Sequence, residues 1–167
     1  MCIRDSLGLA DRVEADLDRW QQMYDTNVLG TLRMTRALLP RLDASGDGHV
    51  IVIGSIAGIE PYPGGGGYNA AKHAQHAVAE VLRRETVARP VRVSEVLPGL
   101  VETEFSLVRF DGDAERAAKV YEGIQPLTAE DVADVVAFVV TRPAHVNLAT
   151  TLLLPTAQAT ATTTHRT

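Results

Sequence analysis

HVIVIGS, residues 49–55, is a run of strand length built on β-branched residues, with no alternation of apolar and polar positions. Such a run reads as a strand covered on both faces, the habit of parallel sheets. Ser45, Gly46, Asp47 and Gly48 supply a turn before it, and a Gly- and Pro-rich loop, Ala57 to Gly67, follows. Tyr68 to Ala88 then has helical character closed by Pro90, and VRVSEVL at 91–97 is a second strand broken by Pro98 and Gly99. Residues 100–112 read as a loop and Asp113–Gly123 as a short amphipathic helix. Thr128, with Asp131 three residues on, opens another helix through Thr141 as a capping box, and residues 147–154 supply a third strand. Upstream, a long helix starts at Leu17 with Asp16 or Asp18 as N-cap and Pro40 marking its far end. Its apolar positions Trp20, Met23, Tyr24, Val28, Leu32, Leu38, Leu39 and Leu42 predict one buried stripe, and Asn27 falls on it. Three strands separated by helical segments imply crossover connections and a parallel α/β sheet, part of a doubly wound domain.

The chain has 167 residues, 46% apolar and 22% charged, which predicts one globular domain over 1–167 with a core that needs no staples. The Ala/Thr-rich tail, 155–167, is expected to be ordered only if it docks. Cys2 is the single cysteine, so neither a disulfide framework nor a thiolate metal cluster is available, and a reducing cytoplasm is the expected compartment. A net charge of −5 without a run of Lys or Arg argues against a nucleic-acid partner. No apolar stretch is long enough to span a bilayer, so no membrane partner is expected. Of the 16 basic residues only Lys72 and Lys119 are lysines, which makes the place of each informative.

Asn27, Ser55, Tyr68 and Lys72 fall where such sheets place function, at or beyond the carboxyl ends of strands. Ser55 ends the first strand, while Tyr68 and Lys72, at i and i+4, share one helix face. A tyrosine titrates near pH 10, so a phenolate base near pH 7 needs a shift of about three units, roughly 4 kcal/mol. A neighbouring ammonium supplies part of it. Each residue alone has a plainer reading: a chance Tyr-x-x-x-Lys pair, a strand-end turn serine, a satisfied core amide. Together, with Ser55 thirteen residues before Tyr68 across a glycine-rich loop, they are far more specific. Arg109, the cation of the loop after the second strand, suits a bidentate grip on a carboxylate, though a solvated loop charge is the simpler expectation. His73 and His76 lie three apart on the Tyr68 helix without a third ligand in view, so no metal is expected.

The order NVLG, VIVIGSIAG, YNAAKHA and RVSEVLPGLVETEF resembles the short-chain dehydrogenase/reductase family over residues 9 to about 155. TEFSLVRFDGD and PAHVN are similar to stretches of its NADP-dependent 3-hydroxy acid or serine dehydrogenases. The resemblance implies a Rossmann-like fold, an NADP cofactor with NAD as the alternative, a small hydroxylated substrate such as a 3-hydroxy acid, and a homotetramer. It makes Tyr68 the acid/base, Lys72 the group that lowers its pKa and holds the nicotinamide ribose, and Ser55 the donor to the substrate oxygen. Asn27 would anchor a water linking Lys72 to solvent. Pro98, Gly99, Leu100, Val101, Thr103 and Phe105 would line the nicotinamide and pyrophosphate.

The family's opening strand, its Gly-x-x-x-Gly-x-Gly turn and its Asn-Asn-Ala-Gly strand end have no counterpart here. Gly64–Gly67 is read as a flexible approach to the Tyr68 helix, not as a phosphate cradle. The resemblance therefore implies the C-terminal part of the domain, with MCIRDS at residues 1–6 set apart from it. Residues 50–55 would then form an apolar edge prone to association, and cofactor would bind weakly. The competing reading is a catalytically silent fragment that associates through the helices at 16–42 and 68–89.

Overall fold

A computed structural model describes residues 15–167; Cys2 and the segment MCIRDS lie outside the described residues. Three strands, β1 (Gly48–Ile53), β2 (Val91–Pro98) and β3 (Thr150–Leu153), form one parallel sheet in the order β1-β2-β3. Gly48 pairs with Val91 and Ile53 with Val96, and Glu95 to Pro98 then pair with Thr150 to Leu153. This is the expected α/β architecture. The central strand is the most deeply covered, with Val93, Val96 and Leu97 at 2% exposure or less. Among the described residues β1 pairs only with β2, and Ile53 is partly exposed.

Helices connect the strands. α1 (Leu17–Tyr24) is capped by Asp16, whose carboxylate accepts from the amides of Asp18 and Arg19. A π-turn at Asp25–Leu29 joins α1 to α2 (Gly30–Ser45). α3 (Gly66–Glu85) links β1 to β2. α4 (Phe105–Arg109), α5 (Ala114–Lys119) and α6 (Ala129–Val140) lie between β2 and β3. The capping box opening α6 is present: Thr128 Oγ1 accepts from Asp131 N at 3.2 Å, and Asp131 Oδ2 accepts from Thr128 N at 2.7 Å.

Several expectations are corrected. Pro40 lies inside α2, which runs on to Ser45 and stops at Gly46 in the left-handed region (φ 76°). The carbonyl that Pro40 deprives of a donor belongs to Arg36 on an exposed face, so the helix survives the lost bond. The buried stripe ends with α1 and the π-turn. No residue of α2 is buried, and Leu32, Met34 and Leu38 are 44%, 61% and 43% exposed, because the described sheet offers α2 a single strand to pack on. The loop at 100–112 contains α4, and β3 is shorter than 147–154 because Asn147 spends its side chain on Val93 O and Ser94 instead of pairing. β1 ends at Ile53, so Ser55 caps the following 3-10 turn (Ile56–Gly58) instead of closing the strand.

The tail does dock. Ala161 N donates to Glu60 Oε2 at 2.8 Å, Thr167 N to Gly123 O at 3.0 Å, and the Arg166 guanidinium to the carbonyls of Glu122 and Val120. No helix among the described residues is long and apolar enough to cross a membrane.

Candidate active site

α3 begins where α1 meets it. A Cβ on Gly67 would stand 2.5 Å from Met23 Cε and 2.9 Å from Trp20 Cδ1, and one on Gly65 would stand 2.2 Å from Tyr62. The missing side chains let α1 and Tyr62 close on the helix start. The glycine run is thus packed against side chains and opens no phosphate cradle. Tyr68, one residue on, is buried with Met23, Ala57 and Ala71, with Trp20, Tyr62 and Phe105 around them. Lys72, one turn later, is 4% exposed and holds its ammonium 5.7 Å from the Tyr68 ring centre. A buried charge requires acceptors. Lys72 Nζ donates to Ile53 O at the end of β1 (3.4 Å) and to Gln75 Oε1 (3.0 Å).

Ser55 Oγ accepts from Ala57 N at 3.1 Å, which fixes the hydroxyl at the start of the 3-10 turn packed against α3. Its own proton remains available for donation, because a hydroxyl both accepts and donates. Asn27 is 3% exposed within the π-turn, and its Nδ2 donates to Met23 O at 2.8 Å. The extra residue of a π-turn commonly marks a functional position. The Asn27 carbonyl accepts from Thr31 Oγ1 at 2.6 Å, and Thr31 Oγ1 accepts from Gln75 Nε2 at 3.0 Å. Asn27 is thereby tied to Lys72 through two side chains.

Beyond β2, Pro98 is buried, and Gly99 lies against Gln158 so closely that a Cβ would meet Gln158 Oε1 at 2.2 Å. Gln158 Oε1 accepts from Leu100 N at 2.9 Å, so the tail fixes the loop that follows the strand. Val101 bridges Leu127, and its carbonyl accepts from Tyr121 Oη at 2.9 Å. Burial, opposed by the bond with Ser106, holds the Tyr121 phenol above its ordinary range, so it stays a neutral donor. Thr103 Oγ1 accepts from Phe105 N at the entry to α4, and the Phe105 ring lies 5.6 Å from that of Tyr68, tilted 58°.

Arg109 is the second correction in this region. It is no solvated loop charge: it ends α4 half-buried, with Nη2 donating to Tyr62 Oη at 2.8 Å. Its guanidinium carbon stands 5.4, 5.8 and 5.9 Å from the rings of Tyr62, Tyr68 and Phe105. Arg109 Nε is buried without a hydrogen-bond partner among the described residues.

Beneath the site, His76 Nδ1 meets Glu95 Oε2 at 2.5 Å, and His73 Nδ1 contacts Asn69 O at 2.9 Å. Burial raises the Glu95 carboxyl above its ordinary range, against the bond from His76 and the charge of Lys72, which lower it. Sequence reasoning missed Gln75, Thr31, Tyr62 and Glu95. Gln75 had one usable signal, a polar side chain at i+3 from Lys72 on an otherwise Ala-rich face.

The pattern of the short chain dehydrogenase family matches residues 7–114. The chain belongs to that family. An uncharacterized oxidoreductase of Mycobacterium tuberculosis is 59% identical over 154 residues, 92% of this chain and 61% of its own length. An NADP-dependent 3-hydroxy acid dehydrogenase of Schizosaccharomyces pombe is 44% identical over 92% of this chain and 59% of its own length. The chain thus spans about three fifths of these relatives. A solved structure, the closed form of a serine dehydrogenase complexed with NADP+, superposes with a TM-score of 0.90 at 43% identity, covering 97% of this chain and 66% of that one. The fold therefore corresponds to the C-terminal part of a Rossmann-like domain.

The residues present fit the nicotinamide-ribose end of such a cofactor. Lys72 and Tyr68 form a buried ammonium and phenol pair suited to sugar hydroxyls, and the Thr103 hydroxyl stands at the loop beyond β2. Among the described residues no glycine turn is placed to receive a pyrophosphate.

Proposed function

We propose that the protein is an oxidoreductase acting with NADP on a small hydroxylated substrate, a 3-hydroxy acid. The observation that carries this reading is the buried Lys72 ammonium 5.7 Å from the Tyr68 ring at the mouth of the sheet. The names of the relatives support the cofactor and the substrate class.

Bound NADP supplies the hydride acceptor, and NADPH the donor in reverse. In the oxidative direction Tyr68 would take the substrate's hydroxyl proton, balancing the hydride that the cofactor would accept, so that a carbonyl remains. Ser55 donates to the substrate oxygen and keeps it facing Tyr68. Lys72 would hold the ribose and favour the phenolate, Asn27 would anchor the polar link behind Lys72, and Pro98, Gly99, Leu100, Val101 and Phe105 would line the nicotinamide, with Thr103 toward the pyrophosphate. Arg109 receives the substrate carboxylate.

The same reading puts the protein in the cytoplasm and takes 1–167, ending in the tail 155–167, as part of a single Rossmann-like domain. Met34 and Leu38, exposed one turn apart on α2, support assembly into a homotetramer. That pair also favours the second reading, an association module without turnover. The full-length gene product, mixed with NADP and a panel of 2-hydroxy acids, 3-hydroxy acids and neutral alcohols, separates the two by the reduced-nicotinamide absorbance. Reduction with 3-hydroxy acids is expected, and silence with every substrate sinks the oxidoreductase reading.

A further inference from the structure

Lys72 meets an amide whose orientation is forced. The Asn27 carbonyl can only accept, so the proton of Thr31 Oγ1 is committed to it at 2.6 Å. Thr31 Oγ1 must then accept from Gln75, which fixes Nε2 toward Thr31 at 3.0 Å and leaves Oε1 to face Lys72 Nζ, also at 3.0 Å. Three hydrogen bonds run one way from ammonium to backbone carbonyl, through Gln75 (7% exposed), and join α3 to the π-turn.

We propose that Gln75 is a positioning residue for Lys72: its amide oxygen, oriented by Thr31 and the Asn27 carbonyl, anchors the ammonium beside Tyr68 and sustains its charge. A neutral acceptor facing a buried ammonium favours the protonated form. An amide passes no proton onward without changing tautomer, so this link anchors the ammonium and does not relay protons. It stands where the family resemblance implies a water between Asn27 and Lys72. The catalytic consequence rests on the reading of Lys72 given above, whereas the anchoring is tested without turnover.

The lysine count makes the test direct. In the 167-residue chain Lys72 and Lys119 are the only lysines, and the Lys119 side chain is 63% exposed, so this chain, lysine-labelled, gives one buried and one exposed side-chain signal. The side-chain shifts are followed against pH by NMR in wild type, Gln75→Met, Gln75→Glu and Thr31→Val. Tyr68, His76 and Glu95, the titratable groups near Lys72 on α3 and β2, are unchanged in all four. The Lys72 midpoint is expected to fall by about one pH unit in Gln75→Met, a tenfold rise in its acid ionisation constant, and to rise in Gln75→Glu. Lys119 stays fixed in every variant. Thr31→Val, nearly isosteric, frees the amide to turn and lowers the midpoint by less; it also carries the test if Gln75→Met does not fold. Equal Lys72 midpoints in wild type and the folded variants overturn the proposal. A shifted Lys72 midpoint with an unmoved pH profile of turnover supports the anchor and counts instead against Lys72 as the group that tunes Tyr68.

Discussion

The two ends of the sheet treat positive charge differently. At the amino ends, Arg89 pairs with Asp43 at 2.7 Å, Arg92 with Asp47 at 3.3 Å, and Arg83 and Arg84 with Glu80 at 2.7 and 3.1 Å. Glu80 is held below the ordinary carboxylate range, chiefly by its bond with Arg83. At the carboxyl end, half-buried Arg109 has a phenol and three aromatic rings for neighbours and forms no ion pair among the described residues. Cations neutralised within the chain hold the fold together. On the proposed function, the half-buried cation surrounded by rings is the one that meets an anion arriving from outside.

The largest test of this contrast is Tyr68→Phe. It removes the proposed proton-transfer group while keeping the ring against Phe105 and Met23, so turnover should fall by about 10³-fold or more with NADP affinity nearly retained. Retained turnover would mean that another group handles the proton. Next in size is Arg109→Met. A charge-assisted contact contributes about 1.5–3 kcal/mol, so kcat/KM for a 3-hydroxy acid should drop by roughly 10- to 150-fold. The methyl ester of the same acid should be turned over as in wild type. A parallel loss on acid and ester would show that Arg109 shapes the pocket without reading charge.

These expectations rest on a site partly legible in the chain. The strands were readable because HVIVI and VRVSEVL are β-branched and bounded by glycine and proline, and Tyr68 and Lys72 because i and i+4 must share a helix face. Pro40 misled because a proline stops a helix only where the freed carbonyl has nothing else to bond, and Arg36 is exposed. The α2 stripe misled because apolar periodicity reports what a helix is ready to bury, while the described sheet offers α2 little to bury against. Thr31 and Tyr62 escaped because Gln75 and Arg109, their partners, are 44 and 47 positions away in the chain, beyond any local pattern, whereas Gln75 carried only its place three residues from Lys72 as a signal. The docked tail escaped for the same reason, since Gln158 finds Leu100 across 58 positions.

At the amino end the expected effect moves from catalysis to stability. Arg92, with 11% of its side chain exposed, donates to the carbonyls of Arg142 and Val146 at 3.1 and 3.3 Å as well as pairing with Asp47. Arg92→Met removes three contacts and leaves two partly buried carbonyls short of a donor, a loss of roughly 1–3 kcal/mol in unfolding free energy. Urea titration reads it. Turnover per folded molecule should be unchanged, because Arg92 sits at the opposite end of the strand from Pro98. A catalytic defect in the folded variant would erase the division between the two ends.

The smallest effect belongs to Glu95, midway along β2 with its carboxyl under α3. Its Oε1 has no hydrogen-bond partner among the described residues, and burial outweighs the bond from His76, so its folded pKa is raised. The folded chain then keeps a proton on Glu95 at pH values where the unfolded chain has released it, and the stability this provides is lost as pH climbs from the ordinary carboxylate value through the raised one. Glu95→Gln has no such proton to lose. Other carboxylates shift the pH dependence of both proteins equally, so the difference between their melting curves isolates this one. That difference should move steadily in favour of the glutamine variant across the window and level off above it. If it moves the other way, the His76 bond outweighs burial, and Glu95 belongs with the neutralised charges of the amino end.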